Sequence, residues 1–188
     1  MKDRVFLVAV PLEVGGITEI LGSHVIFTGV GKINAAIAAH KAINLGFRSI
    51  VNIGSCGSLS MPVGQIVQIG KALQDIDATP LCAYGETPFE EDSHQIVIEH
   101  SVNATCFSTD YFYDSQQQSK YSPSYLKLIQ TSTVFDMECY AQAKVCRLHG
   151  TAYKSYKWVS DNGDGSDWQE NCRSGFESVK ALLAGTSR

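Results

Sequence analysis

A chain of 188 residues, 44% hydrophobic and 18% charged, can bury a core of its own and has the composition of a soluble globular protein. By length it is one domain, residues 1–188. Its net charge of −4, with no block of Lys or Arg, argues against a nucleic-acid or anionic-membrane surface.

The start, Met1-Lys2-Asp3-Arg4, precedes an apolar run from Val5 to Val10 that Pro11 and Glu13 interrupt. That run is too short and too polar-flanked for a signal peptide or a membrane span, and it reads as a first buried strand. His24 to Thr28 reads as a short second strand, and Gly31 to Leu45 as a helix stopped by Gly46. Ser49 to Ile53 is a core strand, while Gln65 to Ile69 and Lys71 to Ile76 are strand-like. Thr79 to Asp92 reads as loop, and Gln95 to Ile98 and Thr105 to Ser108 as further strands. A polar, mobile connection, Asp114 to Pro123, leads to a short helix from Ser124 to Gln130. Then come a strand at Thr133 to Phe135, a helix from Glu138 to Leu148 closed by Gly150, an apolar strand from Ala152 to Val159, and a last helix from Asp167 to Leu183. The alternation of strands and helices predicts an α/β fold: a single domain with a twisted, mixed but largely parallel β-sheet flanked by helices.

The six cysteines, Cys56, Cys82, Cys106, Cys139, Cys146 and Cys172, include no Cys-x-x-Cys pair and no paired His spacing, so no metal site is expected. Cys139 and Cys146 share a helix face and are expected to pack as small apolar residues. Free thiols fit a reducing cytoplasm.

The stretch Val159-Ser160-Asp161-Asn162-Gly163-Asp164-Gly165 carries the most chemical information. In α/β folds ligands bind beyond the carboxyl ends of strands. A carboxylate there, partly shielded from water, can hold a proton near neutral pH and give it to a leaving group. Asp161 is therefore a candidate general acid, although Asp before Asn-Gly is also ordinary turn chemistry. Glu138, at a helix start, is stabilised by free N–H groups whatever else it does. Gly29-Val30-Gly31 lacks the third glycine of a dinucleotide fingerprint, so no cofactor is expected.

Three further stretches accompany the Ser-Asp pair: Gly29-Val30-Gly31-Lys32-Ile33-Asn34-Ala35-Ala36, Val51-Asn52-Ile53-Gly54-Ser55-Cys56-Gly57-Ser58-Leu59 and Phe135-Asp136-Met137-Glu138-Cys139-Tyr140-Ala141. In this order the chain, from Val5 to about Leu183, resembles the purine nucleoside phosphorylase and uridine phosphorylase superfamily, and within it the 5′-methylthioadenosine/S-adenosylhomocysteine nucleosidases. The resemblance implies that Asp161 engages the purine N7, with Ser160 holding its carboxylate. It implies that Glu138 holds the ribose hydroxyls while Met137 packs on the sugar, and that Glu13 activates water. Ser55 would orient that water, and Gly57 and Gly31 would bring backbone close to the substrate. Phe112 is implied as the aromatic stacked on the base and Tyr113 as a backbone contact to its edge. Trp168 and Phe176 either close the pocket for the 5′ tail or simply pack, and Asp136 is solvated or structural.

Phosphorylases of the family carry an Arg shortly after the first strand and another two residues before the Gly-Ser turn. Here Pro11 to Ile20 contains no Arg or Lys, and the second position is Asn52. Phosphate needs cationic donors, so the resemblance implies hydrolysis, with water as co-substrate and a purine nucleoside as ligand. A phosphorylase, a futalosine-type hydrolase and a catalytically weak nucleoside-binding protein are the other readings. A homodimer is implied. The chain departs from the family in having room for one short strand between Ile20 and Gly29, where a hairpin is usual, and in a short region from Asp92 to Asn103.

Overall fold

The computed structural model describes residues 2–90, 94–165 and 168–185. It contains one ten-stranded sheet. The strands are β1 (Lys2–Val8), β2 (Glu19–Ile20), β3 (Ser23–Phe27), β4 (Phe47–Gly57), β5 (Ile66–Gln68), β6 (Lys71–Gln74), β7 (Ile96–Val97), β8 (Thr105–Ser108), β9 (Val134–Asp136) and β10 (Ala152–Asp161). The helices are α1 (Lys32–Asn44), α2 (Pro123–Thr131), α3 (Cys139–His149), α4 (Trp168–Asn171) and α5 (Phe176–Gly185).

The strand order is β2-β3-β1-β4-β9-β8-β6-β7, with β10 joined to β4 and to β5. Strands β3, β1, β4 and β10 run parallel, as do β6, β8 and β9, while β4 meets β9 antiparallel at Gly57 and Phe135. The sheet is thus mixed and largely parallel.

Both faces are covered, which is why β1 reads as an unbroken apolar run from Val5 to Val8. Val5 and Leu7 face one way, into a cluster with Ala39 and Ala42 of α1 and Cys146 of α3. Phe6 and Val8 face the other way, with Trp158, Phe176, Val179 and Leu183. A third cluster packs Cys139, Tyr140 and Ala143 of α3 against Cys106, Val134 and Val159. A fourth joins Phe107 and Phe135 to Tyr125 and Ile129 of α2. The cysteines are free, and all but Cys82 are buried, Cys139 and Cys146 among apolar neighbours.

The structure differs from the sequence reading in several places, among them β4, which runs from Phe47 to Gly57 and not only from Ser49 to Ile53. Where one strand was expected after Ile20, β2 and β3 form a small antiparallel hairpin, so that feature of the family is kept. The connection from Asp114 holds a 3-10 helix, Ser115–Lys120, because the Asp114 carboxylate caps it by accepting from Gln116 N at 2.8 Å. Strand β10 runs two residues further than expected, to Asp161. The last helix, whose expected start at Asp167 lies outside the described residues, is broken into α4 and α5. Trp158 causes the break. Its Nε1 donates to Cys172 O at 2.9 Å, and its ring lies so close to Gly175 that an added Cβ would meet Trp158 Cγ at 2.0 Å.

Candidate active site

Five chain segments end around one cavity at the carboxyl ends of the strands. It is lined by Ala9, Val10 and Glu13 after β1, and by Ser55, Cys56 and Gly57 at the end of β4. Thr109 to Tyr113, apart from Asp110, follow β8; Phe135 to Glu138 close β9, and Ser160 and Asp161 close β10. Val30 and Trp168 complete the wall. Of the residues singled out in the sequence, Glu13, Ser55, Gly57, Phe112, Tyr113, Met137, Glu138, Ser160 and Asp161 therefore meet in one place. Two do not reach the cavity. Gly31 stands behind Glu138, donating its N–H to Oε1 at 3.2 Å. Phe176 is buried in the core with Trp158.

Glu13 sits in a 3-10 turn, Pro11–Val14, that Pro11 starts and Gly15 ends in the left-handed region. Its side chain is buried and folds back onto β4. Oε1 accepts from Ser55 N at 2.7 Å and from Ser55 Oγ at 2.8 Å, and Oε2 accepts from Val10 N at 3.3 Å. Burial pushes its carboxyl up, against the pull of Lys157 and the Ser55 and Val10 donors. The hydroxyl expected to orient water is thus bonded to the acid itself.

Asp161 owes its direction to a β-bulge. Val159 pairs with Cys56 and Asp161 with Gly57, so Ser160 is an extra residue opposite a single step of β4. A bulge reverses the alternation beyond it and re-aims the side chain. Oδ1 of Asp161 accepts from Gly163 N at 2.9 Å, and Oδ2 lies 2.9 Å from Ser160 Oγ. Burial raises the carboxyl despite these two bonds. The glycines that follow let the turn lie against the aromatic segment. A Cβ at Gly163 would meet Tyr113 Cε1 at 2.8 Å, and one at Gly165 would meet Phe112 Cε1 at 2.9 Å.

Phe112 is 53% exposed and lines the cavity, with the Trp168 ring edge-on at 6.0 Å. The ring of Tyr113 is buried among Tyr121, Tyr125 and Phe135.

Glu138 precedes α3 and is buried, its carboxyl pushed up to about 8 by burial and by the charges of Asp136 and Glu13, partly offset by Lys157. Asp136 is structural and far from solvated. It accepts from Ser108 Oγ at 2.6 Å, from Cys139 N at 2.9 Å and from Lys157 Nζ at 2.8 Å. Burial alone would raise it, but Lys157 and these donors hold it below the usual carboxylate range.

Lys157 is the residue that sequence reading missed. It lies in β10, inside a run taken as apolar, with its side chain 2% exposed and Nζ 4.0 Å from Glu138 Oε2. Burial works against its charge, and Asp136 and Glu138 overcome that and keep the ammonium well above its ordinary value. The available signal was a lysine in a core strand, which requires a buried anion nearby.

Among the described residues one group could bring three ligand atoms to a metal, Cys106, Asp136 and Cys139. The Lys157 ammonium already occupies Asp136, so the cluster holds a cation of its own. Asn52 turns inward, donating to Leu7 O at 3.3 Å and accepting from Ser155 Oγ at 2.9 Å.

This arrangement, with the site at the carboxyl edge of a mixed sheet covered on both faces, defines an α/β enzyme-type fold. The chain matches the model of the phosphorylase superfamily over residues 17–186 and belongs to that family. Its fold is that of solved nucleosidases. The 5′-methylthioadenosine/S-adenosylhomocysteine nucleosidase of Helicobacter pylori, solved with butyl-thio-DADMe-Immucillin-A, gives a TM-score of 0.81 at 17% identity, covering 98% of this chain and 97% of that one. The same enzyme from Neisseria meningitidis, in complex with methylthio-immucillin-A, gives 0.79 at 19%, over 98% and 97%. The futalosine hydrolase of Helicobacter pylori gives 0.79 at 16%, over 97% and 96%. A comparison with curated protein sequences finds no match.

Proposed function

We propose that this protein is a nucleosidase that hydrolyses the N-glycosidic bond of an adenine thionucleoside, such as 5′-methylthioadenosine or S-adenosylhomocysteine, and releases adenine. The observation that carries this reading is Glu13, buried in a cavity lined by no Arg or Lys among the described residues. Such a wall repels phosphate and favours water as the nucleophile. The nearest buried cation, Lys157, is committed to Asp136.

In this reading the purine lies against Phe112 with Asp161 at its N7. Ser160 Oγ is 3.1 Å from Cys56 O, which can only accept, and 2.9 Å from Asp161 Oδ2. Ser160 has one proton to give to these two acceptors, and when it turns to Oδ2 it holds the Asp161 carboxyl in place. The proton that Asp161 itself carries passes to the base as the C–N bond breaks. Glu138 accepts from the ribose hydroxyls and, when ionised, stabilises positive charge growing on the sugar. Glu13 takes a proton from water as it attacks the anomeric carbon. A carboxyl whose pKa is raised by burial is a stronger base than an ordinary one and suits this step.

The active unit is proposed to be a homodimer. Ile33 and Ile37, one turn apart on α1, are 75% and 61% exposed, and Val30 beside them lines the cavity. A second copy covering this stripe would remove it from water and close the site. Six unpaired thiols fit the reducing cytoplasm, and none of the described helices is long and apolar enough to cross a membrane.

The test is a product assay on 5′-methylthioadenosine, S-adenosylhomocysteine, futalosine and inosine, with and without phosphate. Phosphate-independent release of adenine and free sugar is the expected result. A sugar 1-phosphate as main product makes the protein a phosphorylase. Cleavage of futalosine alone moves the substrate, and saturable binding without turnover leaves a nucleoside-binding protein.

A further inference from the structure

We propose that Trp168 is a positioning residue for the hydrolytic step: its indole N–H fixes the Ser55 hydroxyl on Glu13 and thereby selects the Glu13 oxygen that receives the water proton. The inference rests on the hydrolase reading above and assigns a task to a side chain that reading does not use.

Trp168 opens α4 and forms part of the cavity wall. Its Nε1 lies 3.2 Å from Ser55 Oγ. An indole N–H only donates, so Ser55 Oγ is the acceptor of that bond. A hydroxyl has one proton, and with one lone pair turned to Trp168 that proton points to Glu13 Oε1, 2.8 Å away. Ser55 N fills a second place on the same oxygen at 2.7 Å. Oε2 keeps a single long contact, to Val10 N at 3.3 Å. The geometry thus leaves Oε2 as the acceptor for water.

Without Trp168 the Ser55 hydroxyl can rotate and donate to the water instead. It would then occupy the lone pair that must attack the sugar, and Oε1 would lose one of its two charge-stabilising donors. The indole also rests edge-on against Phe112 at 6.0 Å, so one side chain braces both the aromatic wall and the Ser55–Glu13 pair.

The experiment is a double-mutant cycle of Trp168→Phe and Ser55→Ala, read as kcat and KM for adenine release from 5′-methylthioadenosine without phosphate. Phenylalanine keeps an aromatic ring in the wall and removes the N–H. Trp168→Phe should lower kcat about two- to tenfold, the worth of one lost hydrogen bond, and leave KM within about twofold. In the Ser55→Ala background the same substitution should cost nothing further, because its partner is gone. A general loosening of the fold would appear in both backgrounds, so equal losses in the two overturn the proposal, as does an effect confined to KM. A wild-type protein that needs phosphate, or does not turn over, overturns the hydrolase reading and this role with it. Wild-type hydrolysis with additive losses overturns the Trp168 role alone.

Discussion

Lys157 Nζ stands 2.8 Å from Asp136 Oδ2, and both side chains are almost completely closed to water. Asp136 is tied in turn to Ser108 and to the first turn of α3, directly behind Met137 and Glu138. The cavity floor is therefore built on an ion pair between β10 and the end of β9.

Removing one partner strands the other charge in the interior. Lys157→Met should cost about 3–5 kcal/mol of stability, while the double variant Lys157→Met, Asp136→Asn should recover much of it. Denaturant unfolding of the two single variants and the double measures this. A Lys157→Met protein as stable as wild type would mean that the pair has little part in the fold.

Glu13→Gln keeps the shape of the side chain and removes the base. Turnover should fall by about two powers of ten or more, with nucleoside binding largely kept, because the proton moves in the chemical step. Steady-state kinetics together with calorimetric binding of an uncleaved analogue separates the two effects. Near-normal kcat in this variant would remove Glu13 from the mechanism.

Asp161→Asn retains hydrogen bonding but has no proton to give. The loss should fall on kcat, by about two to four powers of ten for a purine nucleoside. A nitrophenyl riboside, whose leaving group needs no proton, should be much less affected. Glu138→Gln, acting on the sugar, should slow both substrates alike. If Asp161→Asn also slows both equally, Asp161 only positions the base.

The raised carboxyl of Glu138 has a signature in stability. Its folded value, about 8, lies above its unfolded value, so its contribution is complete at low pH and is lost as pH rises from about 4.5 through 8. The melting temperature of the ligand-free protein should fall between about pH 4.5 and 8, and Glu138→Gln, which carries no charge to bury, should flatten that fall. The Lys157–Asp136 pair works on the other side: Asp136 is held low, so its contribution is lost only as pH drops through the acid range. Parallel thermal melts of the two proteins decide the point, and identical slopes would remove Glu138 as the source.

Much of this protein was legible in its sequence, for a local reason. Val5 to Val8 read as a strand buried on two sides because every position is apolar, and Gly46 and Gly150 ended α1 and α3 because the chain must turn into the left-handed region there. Asp161 was legible because it sits at a strand end, where an α/β sheet gathers its ligands; Glu13, Ser55 and Glu138 were singled out by the resemblance of their motifs to the superfamily, and the fold brings all four to one cavity. Tertiary structure decided what depends on partners distant in the chain. The bulge at Ser160 is a register relation between β10 and β4, and no spacing within either strand encodes it. The break between α4 and α5 comes from a tryptophan on another element. Nothing local to Lys157 in its strand names its partner, and only folding brings Asp136 to it, because a buried charge is stable only where the fold supplies its counterion.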